Sequence, residues 1–106
     1  MKWEVGRQGT GYSKLKLAQG SWWDAWLLHY PAESSIPNHT DPVPNKRHYR
    51  LNIVLLGSRH AFLSQDKPIF SWAGIVLFRP DINVHAVARV PSDRYVLSIG
   101  WVRNTI

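Results

Sequence analysis

Apolar residues along the chain come in short runs cut by Pro, Gly, Asn and Asp, and no stretch keeps the spacing of an amphipathic helix. The pattern predicts strands at 22–30, 49–56, 74–78, 84–89 and 94–102, with shorter ones near 14–17, 36–41, 61–63 and 69–72. Between them, PAESS, DPVPN, RPDIN and VPSD carry the residues that favour turns. Within 49–56, Tyr49, Leu51, Ile53 and Leu55 alternate with Arg50 and Asn52, so one face is apolar and the other polar. A polar face on so apolar a strand fits an all-β, closed or two-sheet architecture with a ligand-lined interior better than a sandwich with a wholly apolar core.

Length adds one constraint: 106 residues make a single domain, 1–106, with one core and no separate substrate-binding unit. Cysteine is absent, which excludes disulfide frameworks, thiolate metal sites and cysteine nucleophiles, so any metal must use His, Asp or Glu. The start, MKWEVGRQ, lacks the apolar stretch of a secretory signal, and WAGIVLF at 72–78 is too short to span a bilayer. A soluble, intracellular, cytoplasmic protein with no membrane partner is expected. No Gly-x-Ser-x-Gly elbow supports a triad hydrolase, and His29, His48 and His60 read as surface or loop residues.

Thirteen Lys and Arg against seven Asp and Glu give a formal charge of +6, which favours acidic partners. The cluster Lys46, Arg47 and Arg50 makes nucleic acid one such partner. Six tryptophans in so small a chain suggest exposed aromatic surface and hence a homo-oligomer.

Candidate chemistry centres on three residues. His39 and Asp41 are two apart, so on an extended strand both side chains leave one face and can converge on a cation. Such a pair is by itself also what a turn Asp beside a surface His looks like. His85 follows the turn RPDIN and opens a later strand, where it can supply a third donor. Two imidazoles and a carboxylate on one face of an octahedron form the non-haem iron(II) arrangement with open positions.

At these residues the chain resembles the iron(II)- and 2-oxoglutarate-dependent oxygenases, from Trp23 to Val102. Members akin to prolyl 4-hydroxylases and AlkB-type demethylases place a strand-ending tyrosine nine residues before a His-x-Asp pair. In LLHYPAESSIPNHTD, Tyr30 stands nine before His39. The family follows its distal histidine by about ten residues with an Arg or Lys that holds the far carboxylate of 2-oxoglutarate. In HAVARVPSDRYVLSIGWV, Arg94 stands nine after His85. Gly100 replaces the second arginine of the demethylases, and few residues precede the first clear strand where the family has helices.

The resemblance implies a double-stranded β-helix, jelly-roll and cupin-like, with little or no helix. It implies iron(II) on His39, Asp41 and His85, 2-oxoglutarate as cosubstrate, and hydroxylation of a substrate C–H bond with release of succinate and carbon dioxide. Arg94 would anchor the cosubstrate, with Ser98 and Gly100 on the same strand face and Tyr30 within reach. Arg50 and Asn52, on their own polar face, compete for that carboxylate. Two other readings stay open: a cupin-like metal-binding protein without 2-oxoglutarate, and a metal-free β-barrel that binds nucleic acid.

Overall fold

The computed structural model describes residues 2–5, 11–41, 43–65 and 67–104. Among the described residues ten strands form: β1 (Trp3–Val5), β2 (Ser13–Gln19), β3 (Trp23–Tyr30), β4 (Ile36–His39), β5 (Lys46–Leu56), β6 (Phe62–Ser64), β7 (Phe70–Trp72), β8 (Ile75–Phe78), β9 (His85–Val87) and β10 (Arg94–Asn104). They build a seven-stranded sheet ordered β1-β2-β3-β10-β5-β8-β7 and a three-stranded sheet ordered β4-β9-β6, with every pairing antiparallel. Among the described residues there is no helix, and so none long and apolar enough to cross a membrane. The expected all-β jelly roll is the observed fold.

Alternation along β5 fixes which side of the large sheet faces in. Arg50 pairs with Gly100, Asn52 with Ser98 and Val54 with Val96, while on the other flank of β10 Ser98 pairs with Trp26 and Val96 with Leu28. These even-numbered residues form one face, and the small sheet lies across from it. Where both faces are apolar they close into a core: Tyr30, Ile36, Ala61, Val87, Val90 and Val96, with Val90 and Val96 wholly inaccessible. Toward Arg50 and the histidines the sheets hold polar groups instead, and a cavity of about 350 Å³ separates them. A sheet interior can stay open in this way only where its polar groups find partners.

Strand limits differ from the expected ones mainly at two places. β5 begins at Lys46, not 49, because Lys46, Arg47 and His48 continue the ladder against Asn104, Arg103 and Val102. β1 was not foreseen; its three residues pair with β2 at the sheet edge and are all exposed, so no buried pattern marks them.

Gly57 shows how tightly β5 is tied to β10. It adopts φ +99°, and a Cβ there would lie 2.7 Å from the Asp93 carbonyl oxygen and 3.0 Å from Arg94 Cα. Gly57→Ala is therefore expected to lower stability by about 2 to 3 kcal/mol, from left-handed strain plus a backbone clash. Urea denaturation reads this as a lower midpoint with an unchanged slope.

Candidate metal centre

His39 and His85 come together through strand register. They are direct partners on β4 and β9, with ring centroids 4.3 Å apart. Each Nδ1 lies 2.8 Å from a backbone carbonyl two residues earlier, Pro37 for His39 and Asn83 for His85. A carbonyl only accepts, so both rings donate from Nδ1 and leave Nε2 as the nitrogen that can meet a ligand. Asp41 follows β4, and its Oδ2 stands 3.5 Å from each Nε2. The three donor atoms all lie within 4.8 Å of one another. The set fits a metal, since a carbonyl bonded to Nδ1 orients each imidazole and raises the basicity of its other nitrogen.

The turn RPDIN positions two of the three candidate donors, His85 and Asp41. Arg79 N–H donates to Asn83 Oδ1 at 3.0 Å, and Asn83 N–H returns to the Arg79 carbonyl at 2.8 Å. Asn83 thereby presents the carbonyl that holds His85, while the Pro80 carbonyl accepts the Asp41 N–H at 2.6 Å. Arg79 Nη2 closes the turn on Asp81 at 2.6 Å. Burial alone would raise the Asp81 pKa, but the hydrogen bond and charge of Arg79 outweigh it and hold the carboxyl below its ordinary range.

Across the cavity stands Arg50, whose Nη1 donates to Ser98 Oγ and Nη2 to Asp24 Oδ1, both at 2.8 Å. The Ser98 hydroxyl in turn donates a hydrogen bond to Asn52 Oδ1 at 2.6 Å. The guanidinium lies over Gly100, where a Cβ would meet Nη2 at 2.2 Å and Cζ at 2.5 Å. Gly100 is thus the space that Arg50 occupies, on the strand face that also bears Ser98. Gly100→Ala should push the guanidinium aside without unfolding the sheet, because the obstructing atoms end a flexible side chain. If the cavity takes a small carboxylate, its affinity should fall about tenfold, ~1.4 kcal/mol, in calorimetric titration.

The two candidate arginines occupy different places. Arg50, Asn52, Ser98 and Tyr30 line the cavity together with His39, Asp41 and His85. Arg94 is buried behind Tyr30, outside that lining. Its Nε donates to the Ser58 carbonyl at 2.9 Å, and its guanidinium carbon sits 5.0 Å from the centre of the Tyr30 ring. Burial draws the Arg94 pKa below its usual value, whereas burial pushes the Tyr30 phenol upward so that it stays protonated.

Among the cavity-wall residues that the sequence did not assign to the site are Asp24, Trp26 and His48. His48 is neither a loop nor a surface residue but lies on β5, and burial, then the Arg50 charge, lowers its pKa. Its parity with Arg50 and Asn52 was the available signal. His29 also sits on a strand, 3.4 Å from the Asp93 carboxylate, while His60 is exposed as expected. The basic cluster is divided: Arg50 points inward and Lys46 and Arg47 lie exposed.

No family model matches the chain, and no curated protein matches it in sequence. Solved structures do. A chain in the crystal structure of Rhodobacter sphaeroides SigE in complex with the anti-sigma ChrR aligns with a TM-score of 0.61 at 24% identity, over 92% of this chain and 48% of that one. The DMSP lyase DddQ from Ruegeria pomeroyi DSS-3 aligns at 0.66 and 17% identity, over 98% of this chain and 57% of that one. A sugar phosphate isomerase from a cupin superfamily, from Silicibacter pomeroyi, aligns at 0.52 and 16%, over 92% and 66%. The chain spans about half the length of the first two. At these identities the likeness concerns architecture, and with the strand order above it establishes the fold as a cupin-like jelly roll.

Proposed function

We propose that the chain is a cupin-like protein with one metal ion on His39, Asp41 and His85, and that its cavity takes a small anionic ligand beside that ion. The observation that carries this reading is the convergence of three donors whose histidines are both held, through Nδ1, in the tautomer that ligates from Nε2. Imidazole and carboxylate donors in this number suit iron(II).

Charge supports an anionic ligand. Asp24 and Asp41 are balanced on the cavity wall by Lys14 and Arg50, so the two charges of a divalent ion remain to be met. Arg50 brings a permanent positive charge to the cavity wall, where Ser98, Asp24 and His48 hold its guanidinium in place. Tyr30 adds a phenol that stays protonated. Trp26, Leu28, Phe62 and Val87 give the same cavity apolar walls that keep water from the bound groups.

The narrower form of this reading is an iron(II)- and 2-oxoglutarate-dependent dioxygenase that hydroxylates a C–H bond. Two features favour it: the two-histidine, one-carboxylate donor set and a guanidinium on the facing wall. Iron(II) held there would supply the redox chemistry that activates dioxygen. In this reading Arg50, with Asn52 and Ser98 behind it, contacts a cosubstrate carboxylate, and Arg94 braces Tyr30. Anaerobic titration of 2-oxoglutarate into the iron(II)-loaded protein tests it: a visible charge-transfer band that saturates at one equivalent supports the dioxygenase, and no band leaves the metal-binding cupin without 2-oxoglutarate. Failure to bind any divalent metal would overturn both forms.

A further inference from the structure

The outward face of the seven-stranded sheet is as apolar as a core. Along the central strand β10, Leu97 is level with Leu27 and Ile53, and Ile99 with Ala25 and Leu51. These side chains have the parity opposite to the cavity-lining residues, and all are only partly covered. Tyr49 and Trp101 stack on this face with centroids 5.9 Å apart, and at its edges Trp72 is 67% and Trp3 47% exposed. A solvated face of an antiparallel sheet ordinarily carries polar residues in alternation, and monomers rarely leave so large an apolar patch open.

We infer that a second copy of this chain covers the face, the two large sheets packing against each other about a two-fold axis and leaving both cavities on the outside. Area argues for this occupant. The seven strands hold 47 residues, which at about 3.3 Å per residue and about 4.8 Å between strands offer on the order of 750 Å² per copy, close to the size of a standard stable interface. Aligned packing of two twisted sheets is also a common way to bury such faces.

Charge at the ends of β10 selects the orientation. Arg103 lies beside Arg47 at one end, and Asp93 beside His29 at the other. A two-fold axis along the strands would place arginines against arginines, which is unfavourable at an interface. An axis across the strands, near Ile99, brings each arginine pair over the Asp93 end of the other copy. Such an isologous contact closes at two chains.

Sedimentation equilibrium from 1 to about 200 µM tests the inference. The expected species has about twice the chain mass of 12.2 kDa. Ile99→Lys sets two ammonium groups against each other near the axis and should weaken association about 100-fold, while metal stoichiometry is retained because the donors lie in and beside the other sheet. Ile99 faces outward, so the lysine is solvated in the single chain; Leu51→Lys on β5 repeats the test from the neighbouring strand. A wild-type mass of 12.2 kDa throughout, or an assembly that both lysine variants leave intact, overturns the inference.

Discussion

Asp41→Ala is expected to abolish tight iron(II) binding while leaving the fold in place. Protein metal sites with four donors reach roughly 10 to 16 kcal/mol, so each donor carries about 3 kcal/mol and its loss costs on the order of 100- to 1000-fold in affinity. Asp41 is only one of three donors, which places the effect at the upper end. Its backbone role, the N–H bonded to Pro80, survives in alanine, so the turn that carries His85 is preserved. Metal analysis after anaerobic loading and dialysis is the measurement. Wild-type iron content in the variant would remove Asp41 from the site. His85→Ala should lose metal to the same extent, but it also opens a buried space beside Phe62 and Phe78, so its stability falls as well.

The second large effect separates Arg50 from Arg94. Arg50→Ala should weaken binding of 2-oxoglutarate, or of whichever small carboxylate the cavity takes, by about 30-fold to several thousandfold, or roughly 2 to 5 kcal/mol. The lost guanidinium charge is one reason; the other is that Asp24 then stands on the cavity wall without its partner and repels an anion. Arg94→Ala should act on stability instead. It leaves the Ser58 carbonyl without its donor and removes the cation behind the Tyr30 ring, at a cost of about 1 to 3 kcal/mol. Titration of each iron-loaded variant and urea unfolding of each apoprotein distinguish the two roles. Should Arg94→Ala be the variant that loses the carboxylate with stability unchanged, the anchor is Arg94, as the spacing from His85 implies.

Much of the architecture was legible because strand parity is a local property. The alternation of Tyr49, Leu51, Ile53 and Leu55 with Arg50 and Asn52 already separated an apolar face from a polar one, and the structure turns the polar one toward the cavity. The direction of the apolar face was not legible, since alternation says that two faces differ and not which of them is covered. His39, Asp41 and His85 could be named from residue type and spacing, but their meeting depends on the pairing of β4 with β9, a contact between segments more than forty residues apart.

Arg94 illustrates the opposite limit. Its distance from His85 along the chain matches a family pattern, yet the direction of a long side chain is decided by what it packs against. Here Tyr30 and the Ser58 carbonyl take the guanidinium. Arg50 reaches the cavity because Gly100, its direct partner on β10, leaves room over the strand. That relation between a glycine and an arginine fifty positions apart has no local signature. Asp24 and Trp26 escaped notice for a similar reason: their strand is apolar enough to read as core, and only the register with Ser98 and Gly100 puts them on the cavity wall.

The metal centre can be observed directly through the two imidazole Nδ1 protons. In protein loaded with cobalt(II) as a paramagnetic stand-in for iron(II), proton NMR should show two strongly shifted exchangeable resonances. They arise from His39 and His85, whose Nδ1–H groups are held by the Pro37 and Asn83 carbonyls while Nε2 binds the ion. One of the two should vanish in His39→Gln and the other in His85→Gln. An absence of shifted exchangeable signals, or a set unchanged by both substitutions, would contradict a metal centre built on this pair.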